Sequence, residues 1–531
     1  MISDGQIREA LHRYWGHPSF RPRQASIVRS LLDGHDACVV MPTGGGKSLC
    51  YQLPAALLEG KTAVVVSPLI ALMQDQAAQL AKMGIPAAVL NSSFAAAEQV
   101  EIMRAARQGK FRLLYISPER LARADTGEWL RRVPVSFFAI DEAHCISEWG
   151  HEFRPEYRQL SRLRTEFPGH PIAAFTASAT RQVRHDIIEQ LQLNDPDKYI
   201  ASFHRPNLRY IVKECSSFDQ MELLVNALRR HAGSNVIVYS PTIARVGGTV
   251  AHLRSNGIAA IGYHGQMDSL TRRRNQEMWT SEQVRVLVGT IAFGLGINKA
   301  SVRAVIHLSL PKSVEQYYQE AGRAGRDGQP ADCILLWQKS DVGLLVHFIQ
   351  EMEDPAEKER AWQRYHKIRN FVGARACRHR QICLHFGENP KWASCGACDV
   401  CGCDAGWLNA PVPAPATAER PRRKRQDRKP KAAVQHVAAG KAEEIDAELR
   451  EYLREWRLAA ARERSVPAFV VMHDSTLENV CLRQPRTIDE LLEVRGFGPA
   501  KTETYGQEIL AALQRYREKQ APEGSPARRD R

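Results

Sequence analysis

Glycines followed by a lysine and a serine, at residues 42–48, have the types and spacing that hold phosphate groups. The apolar residues Val39 and Val40 precede them, so we expect a strand that leads through this loop into a helix. Backbone N–H groups of such a loop, together with the helix N-terminus, bind phosphate oxygens. Lys47 would reach the β- and γ-phosphates of ATP and Ser48 would ligate Mg²⁺. The other residues expected to shape this loop are Thr43, Gly44, Gly45 and Gly46.

Two adjacent carboxylates follow a second apolar run. The stretch from Phe137 to Ile140 ends in Asp141 and Glu142, then Ala143 and His144. If the run is a strand of a parallel sheet, the carboxylates lie at the edge where ligands of such sheets bind. We expect Asp141 to hold Mg²⁺ through water and Glu142 to act as general base on the attacking water.

Two arginines, Arg323 and Arg326, stand among glycines in residues 319–328. Arginines placed this way can enter a cleft and stabilise the charge that develops on a transferred phosphoryl group. Arg326 is the first candidate for this arginine finger. A solvated basic helix is the alternative, but glycines between the arginines favour close backbone packing instead.

Six of the 12 cysteines lie between residues 377 and 403. Four of them have the spacing for one tetrahedral Zn²⁺ with a closed, structural coordination shell, and they are Cys377, Cys395, Cys398 and Cys401. The other two are Cys383 and Cys403. Cys403 is near enough to Cys401 to compete for the metal, although both extra cysteines could equally be buried small residues.

Composition and charge set the class of protein. Hydrophobic residues are 44% and charged residues 25% of the 531, as in ordinary globular proteins. No segment approaches the ~20 consecutive apolar residues of a membrane span, so we expect a cytoplasmic protein. The net charge of +14 and pI near 9.3 suit a polyanionic partner, although basic proteins without one are common.

The elements that position these residues follow from the apolar pattern. Short apolar runs alternate with helical patterns from residue 37 to about 310, which predicts parallel α/β sheets covered on both faces. Length alone predicts roughly three or four domains. The predicted domains are a first lobe at 1–205, a second lobe at 206–340, a helical zinc module at 341–403, a flexible basic linker at 404–440, a small helical domain at 441–519 and a tail at 520–531.

With these motifs in this order, residues 5–403 resemble superfamily-2 helicases, and specifically the RecQ family. The resemblance implies two RecA-like lobes and an adenine contact by Gln24, which lies with Arg21 in the segment 20–24. The segment 145–155 resembles the family's aromatic-rich loop, which couples single-stranded DNA to ATP hydrolysis.

Contacts to DNA follow from the same resemblance. Trp149 and Phe153 would stack on unpaired bases, while Arg154 supplies charge. Hydroxyls that would donate to DNA phosphates are those of Ser67, Thr176, Ser178 and Thr290, although each could equally belong to a turn or a helix cap. Residues 466–477 and 496–501 resemble the helicase-and-RNase-D C-terminal (HRDC) domain.

The activity implied is DNA-stimulated ATP hydrolysis that drives 3′ to 5′ translocation and duplex unwinding in recombination and repair. The expected cofactors are ATP, Mg²⁺ and Zn²⁺, and the expected partners are single-stranded and branched DNA with single-strand-binding or repair proteins. We expect a monomer, associated with the nucleoid if bacterial. The alternatives are an RNA-directed helicase and a structure-specific DNA-binding scaffold with weak ATPase activity.

One module of the longer family members has no room in this sequence. Only the basic linker separates Cys403 from the HRDC-like domain, so we expect no winged helix there. The basic tract at 420–431 could replace it as an electrostatic anchor for duplex DNA, and a solvated linker is the alternative.

Overall fold

The computed structural model describes residues 2–91, 94–290, 299–409, 446–463, 471–472, 474–494, 497 and 499–520. These belong to two compact units, residues 1–418 and 419–531. No helix in the described ranges is both long enough and apolar enough to cross a membrane. The basic tract at 420–431 lies outside the described residues, so its predicted role is untested.

The first lobe is built on seven parallel strands in the order β3-β4-β2-β5-β6-β1-β7. Most of these strands are buried along their whole length, as expected of a parallel sheet covered on both faces. The strands are β1 Ala37–Val40, β2 Thr62–Val66, β3 Ala87–Leu90, β4 Leu113–Ile116, β5 Val135–Ile140, β6 Ile172–Thr176 and β7 Asp197–Ile200.

Helices cover both faces of this sheet. Their residues pack into two apolar clusters, one on each side, because alternate residues of every strand point to opposite faces. The helices are α1 Asp4–Trp15, α2 Gln24–Leu32, α3 Lys47–Leu57, α4 Ile70–Lys82, α5 Ala96–Arg107, α6 Pro118–Leu121, α7 Ala124–Leu130, α8 Pro155–Arg158, α9 Arg162–Glu166 and α10 Arg181–Gln190.

The second lobe repeats the design with six parallel strands in the order β10-β11-β9-β12-β13-β8. Its strands are β8 Leu208–Glu214, β9 Asn235–Tyr239, β10 Ala260–Tyr263, β11 Val286–Gly289, β12 Val302–His307 and β13 Ala331–Trp337. Its helices are α11 Ser217–Arg230, α12 Ile243–Ser255, α13 Ser269–Thr280 and α14 Val314–Ala321.

Three helices follow the second lobe and carry the cysteine segment: α15 Lys339–Gln350, α16 Pro355–Gly373 and α17 Arg378–His385. The cysteine segment adds to the edge of the second sheet, because Cys398 forms a parallel bridge with Tyr210 of β8. The N–H of Asp399 donates to the carbonyl of Tyr210 at 2.9 Å. Both lobes and the helical zinc module therefore form one packed unit.

The second unit is helical. Its helices are α18 Ala447–Glu463, α19 Asp474–Arg483, α20 Ile488–Leu492 and α21 Pro499–Gln520. Leu449, Leu453, Leu491 and Val494 lie in its core. Leu492, the last residue of α20, is 40% exposed. The predicted fold class is confirmed, whereas the domain boundaries stay predictions.

Asp36 fixes the start of the strand that leads to the phosphate loop. Its buried carboxylate accepts hydrogen bonds from the N–H of Ile172 at 2.8 Å and of Asn194 at 2.6 Å, and it pairs with Arg164. Its own carbonyl accepts from the N–H of Asp197 at 2.9 Å. The side chain and the carbonyl of this one residue thus align the beginnings of β1, β6 and β7.

Replacing Asp36 by alanine should destabilise the first lobe by about 3 kcal/mol, because it removes the carboxylate that pairs with Arg164 and leaves the buried N–H of Ile172 and the N–H of Asn194 without their acceptor. Denaturant unfolding measures this change. Asp33→Ala, which removes only a half-exposed partner of Arg29, is the matched control and should cost under about 1 kcal/mol. Equal losses in the two variants would contradict the role assigned to Asp36.

Candidate functional site

The phosphate loop joins β1 to α3, which begins at Lys47. Gly44 and Gly46 have φ of 80° and 83°, a left-handed conformation that favours glycine. The Lys47 ammonium donates to the carbonyl of Met41 at 3.1 Å, and the Ser48 hydroxyl accepts from Gln76 at 3.3 Å. The strand, loop and helix predicted from the sequence are present.

The two carboxylates lie at the carboxyl end of β5. Burial and then the charge of Glu142 raise the pKa of Asp141, while the Lys47 ammonium lowers it. Asp141 accepts hydrogen bonds from the Ser67 hydroxyl at 3.5 Å and from the N–H of Glu142 at 3.0 Å. Lys47, Asp141 and Glu142 therefore interact at one edge of the sheet, beside the phosphate loop.

His144 holds Glu142, although the sequence did not single it out as more than the last residue of its motif. It is almost fully buried, with Nδ1 3.3 Å from Glu142 Oε2 and 3.0 Å from the Thr176 hydroxyl. Burial alone would raise the pKa of Glu142, but the hydrogen bond and charge of His144 lower it below the ordinary value. Glu142 is thereby kept ionised and oriented.

Arg326 of the second lobe packs against the phosphate loop of the first. A Cβ on Gly44 would lie 3.1 Å from Arg326 Cγ. Burial and the charge of Arg323 lower the pKa of Arg326 to about 9, while Glu142 acts in the opposite direction. Arg323 lies beside Tyr239 at the end of β9. Of the two predicted arginines, Arg326 is the one placed against the loop.

Gln24 and Arg21 also lie on the phosphate loop. Gln24 Nε2 donates to the carbonyls of Gly45 at 3.3 Å and Gly46 at 3.2 Å, and its Oε1 accepts from the N–H of Arg21 at 2.9 Å. The Arg21 guanidinium donates to the carbonyl of Gly44. The amide of Gln24 is engaged with the loop at both ends, so its contact with adenine stays a prediction.

The aromatic-rich loop begins three residues after Glu142. Trp149 is 47% exposed, whereas Phe153 is half-buried beneath the Arg158 guanidinium, 5.6 Å from its ring. Glu148 ties the loop to α8 and α16 through Arg158 at 3.0 Å and Arg360 at 3.2 Å. Arg154 is also half-buried. Trp149 therefore offers the most accessible ring for a base to stack on.

Three of the four predicted phosphate donors are in the interior. Ser67, Thr176 and Ser178 are 2%, 1% and 2% exposed, respectively. The Ser67 hydroxyl is bonded to Asp141 and the Thr176 hydroxyl to His144. The Ser178 hydroxyl accepts from Gln319 at 2.8 Å. Their predicted contacts with DNA phosphates stay predictions. Thr290 is half-buried at the end of β11.

The predicted zinc ligands come together. The sulfur atoms of Cys377, Cys395, Cys398 and Cys401 all lie within 4.8 Å of one another. Four thiolates on one Zn²⁺ at about 2.3 Å are about 3.8 Å apart, so the cluster fits the metal with little adjustment. The N–H of Arg378 also points at Cys398 Sγ, at 3.5 Å, which favours the thiolate.

Cys383 and Cys403 are not part of this cluster. Cys383 is buried, and burial raises the pKa of its thiol to about 12, away from the reactive thiolate. Cys403 donates its N–H to the carbonyl of Cys398 at 3.1 Å, and its side chain packs against the core of the second lobe. Of the two alternatives, small packing residues rather than zinc ligands agree with these positions of Cys383 and Cys403.

Family matches follow the same order along the chain. The DEAD/DEAH box helicase family matches residues 21–186, and the helicase conserved C-terminal domain matches residues 219–328. The RecQ zinc-binding family matches residues 339–402, and the HRDC domain matches residues 446–513. The first three matches fall on the two lobes and the cysteine module described above.

Whole-chain relatives decide the family. The ATP-dependent DNA helicase RecQ of Bacillus subtilis (strain 168) is 33% identical over 590 aligned positions, which cover 96% of this chain and 99% of that protein. This chain belongs to the RecQ family. The resemblance inferred from the motifs is thereby confirmed. The alignment is longer than this RecQ chain, so the Bacillus protein has residues in the aligned span that are missing here.

Two other relatives are longer. The proteins named ATP-dependent DNA helicase RecQ from Pasteurella multocida (strain Pm70) and Haemophilus influenzae are 42% and 41% identical over 74% of this chain. This RecQ chain spans 62% of the length of each.

Solved structures with the same fold are more distant in sequence. DUF1998 helicase MrfA bound to DNA and AMPPNP has a TM-score of 0.54 at 20% identity, over 66% of this chain and 52% of that one. Dbp5 of S. cerevisiae bound to RNA and ADP BeF3 has a TM-score of 0.53 at 15% identity, over 69% and 100% of the two chains. At such identities the likeness shows the fold alone.

Replacing Cys398 by serine should lower the zinc content well below about one ion per chain and reduce the thermal midpoint, because three thiolates leave the tetrahedral shell open. Metal analysis by mass spectrometry and a melting curve test this. Cys403→Ser is the matched control and should keep its zinc. Loss of zinc in both variants would show that Cys403 is a ligand after all.

Proposed function

We propose that this RecQ protein is an ATP-dependent DNA helicase that moves 3′ to 5′ on single-stranded DNA and unwinds duplexes during recombination and repair. The observation that carries the proposal is the contact of Arg326 in one lobe with Gly44 of the phosphate loop in the other. An ATP site shared by two lobes makes lobe movement depend on hydrolysis, as a motor requires. The names of the RecQ relatives support the same activity.

The residues that would hold ATP with Mg²⁺ lie on both sides of the loop. The Ser48 hydroxyl is at the start of α3, and the Asp141 carboxylate is at the end of β5. A hydroxyl and a carboxylate are the oxygen ligands that Mg²⁺ takes beside phosphates. The ion would neutralise charge on the β- and γ-phosphates, to which Lys47 also contributes.

Hydrolysis would use Glu142 as the base. Its ionised carboxylate, oriented by His144, can accept a proton from a water placed in line with the γ-phosphate. Arg326 would stabilise the charge that grows on the phosphoryl oxygens as the bond breaks. Glu142 has φ of 47°, a strained conformation for a residue other than glycine and one that is found often at functional sites.

Coupling to DNA would run through the aromatic-rich loop. The chain passes from Glu142 through a short 3₁₀ turn, Ala143–Ile146, directly into this loop. Movement of the exposed Trp149 onto a base would therefore act on the backbone that carries Glu142 and His144. Single-stranded and branched DNA are the proposed partners, with single-strand-binding or repair proteins, and the protein would act as a monomer.

Lys47→Ala should abolish strand displacement, because it removes the ammonium that neutralises the transferred phosphate. Duplexes with a 3′ tail, a 5′ tail or a fork, in DNA and in RNA, are the substrates to compare at one salt concentration. We expect ATP-dependent displacement on the DNA substrates that carry a 3′ tail, which are the 3′-tailed duplex and the fork, and on none of the others. Lys61→Ala, which changes an exposed lysine of the same lobe, should be unaffected. Equal activity on RNA tails, or no displacement by the unaltered protein on any tail, would contradict the proposal.

Trp149→Ala should reduce the stimulation of ATP hydrolysis by single-stranded DNA about tenfold or more, since loss of one base stack costs about 1–3 kcal/mol. Hydrolysis without DNA should change little. Phe218→Ala is the matched control, because Phe218 is an exposed aromatic residue of α11 outside the loop. Undiminished stimulation in Trp149→Ala would remove the aromatic-rich loop from the coupling.

A further inference from the structure

Arg205 lies in the segment that connects the two lobes, between β7 and β8, and its guanidinium bridges them. One terminal nitrogen donates to the carbonyl of Thr43 at 3.1 Å and approaches that of Gly322 at 3.5 Å. The other donates to the carbonyls of Ala324 at 3.1 Å and Gly325 at 2.9 Å. Thr43 is in the phosphate loop, and the other three residues precede Arg326.

The chemistry of these acceptors suits an arginine. The three carbonyls of the second lobe follow the C-terminus of α14, where carbonyl groups lack helical partners and carry the negative end of the helix dipole. The guanidinium is a rigid, planar fork with five N–H donors, so one side chain can bind several carbonyls in fixed directions. A lysine could neutralise the same helix end but could not join both lobes in this geometry.

In each lobe, Arg205 binds a backbone carbonyl that is one residue away from a residue of the phosphate site. Thr43 precedes Gly44, and Gly325 precedes Arg326, which packs on Gly44. A second bond reinforces the junction, because the Thr43 hydroxyl donates to the carbonyl of Gly322 at 3.0 Å. A Cβ on Gly322 would lie 2.2 Å from that hydroxyl, so only glycine allows this approach.

The backbone of Arg205 is fixed from a third direction. Its carbonyl lies 3.0 Å from His379 Nε2, and because a carbonyl only accepts, this nitrogen is the donor. His379 belongs to α17, and its Nδ1 lies 3.1 Å from Sγ of the zinc-cluster residue Cys395. The zinc module thus holds the backbone of the hinge, while the Arg205 side chain reaches into the ATP cleft.

We propose that Arg205 is the positioning residue that aligns Arg326 with the phosphate loop for ATP hydrolysis. The inference rests on the proposed function of that cleft and assigns Arg205 no contact with ATP. Arg205 sets the distance between the phosphate loop and the backbone that carries Arg326. This distance matters most when the γ-phosphoryl group is being transferred. ADP, which lacks that group, depends on it little.

The experiment compares the full-length protein with Arg205→Ala and Arg205→Lys. The kcat of ATP hydrolysis in Arg205→Ala should fall about 10- to 100-fold, because a displacement of about 1 Å in a catalytic group costs that much, while KM for ATP changes less than about threefold. Affinity for ADP with aluminium fluoride, which imitates the transferred phosphoryl group, should fall about as much as kcat. Affinity for ADP alone should stay within about threefold.

Arg205→Lys separates positioning from stability. Lysine keeps the charge at the end of α14, so folding and zinc content should be preserved, yet kcat and the affinity for ADP with aluminium fluoride should remain low. Full recovery by lysine would show that Arg205 only stabilises the helix end and would overturn the proposal. If the alanine variant does not fold, the lysine variant decides alone.

Arg181→Ala is the matched control. Arg181 also reaches from the first lobe to a carbonyl elsewhere, that of Gly387 at 2.9 Å, which belongs to neither the phosphate loop nor the segment before Arg326. It should leave kcat unchanged. Equal losses of affinity for ADP and for ADP with aluminium fluoride in Arg205→Ala would also overturn the proposal. If DNA fails to stimulate the unaltered protein, the helicase assignment fails while the nucleotide comparison still tests Arg205.

Discussion

The contact between the phosphate loop and Arg326 is the constraint on which the rest of this structure depends. Two cations, Lys47 and Arg326, and two carboxylates, Asp141 and Glu142, interact in one cleft, where Asp141 is buried and the other three are half-buried. Buried charges are stable only when opposite charges face them, and a triphosphate with its metal would complete the balance. The first lobe supplies Lys47, Asp141 and Glu142, and the second supplies Arg326. The chemistry of the site therefore depends on how the two lobes are arranged.

The zinc module contributes by bracing the lobes at this junction. His385 of α17 pairs with Glu315 of α14 at 2.6 Å, and the carbonyl of Phe386, directly after α17, accepts from Arg184 of α10 at 3.0 Å. Glu388 binds the Ser202 hydroxyl at 2.6 Å in the hinge. A metal with four cysteine ligands has no open position for substrate, so its role is to hold these contacts in place.

Hydrogen bonds inside the first lobe connect the residues that precede the aromatic-rich loop to the second lobe. His144 connects Glu142 to Thr176, and two residues later Ser178 binds Gln319 of α14 at 2.8 Å. Hydroxyls that the sequence assigned to DNA phosphates are thus links between the end of β5, the end of β6 and the second lobe. Polar groups that interact in a low-dielectric interior do so more strongly than in water, so a displacement of one of them changes the energy of its partners.

Local sequence was enough to identify the sites whose residues lie close together along the chain at a characteristic spacing. The phosphate loop, the carboxylate pair after an apolar strand and the four cysteines are each defined within a few residues, and the alternation of apolar runs with helical patterns predicted two parallel sheets. Motif spacing also pointed to the RecQ family. Exposure was not determined in this way, because a serine or threonine in a motif has the same letter whether its hydroxyl faces solvent or a buried histidine.

Only the tertiary structure decided which distant residues meet. Arg326 rather than Arg323 reaches Gly44, Gln24 binds the loop backbone, and Arg205 joins Thr43 to Gly325. The role of Arg205 could not be recognised from the sequence, since its partners are main-chain carbonyls, which every residue has. Such contacts depend on how two sheets pack across a hinge, and that packing is set by many weak apolar contacts spread over the whole unit rather than by any short pattern.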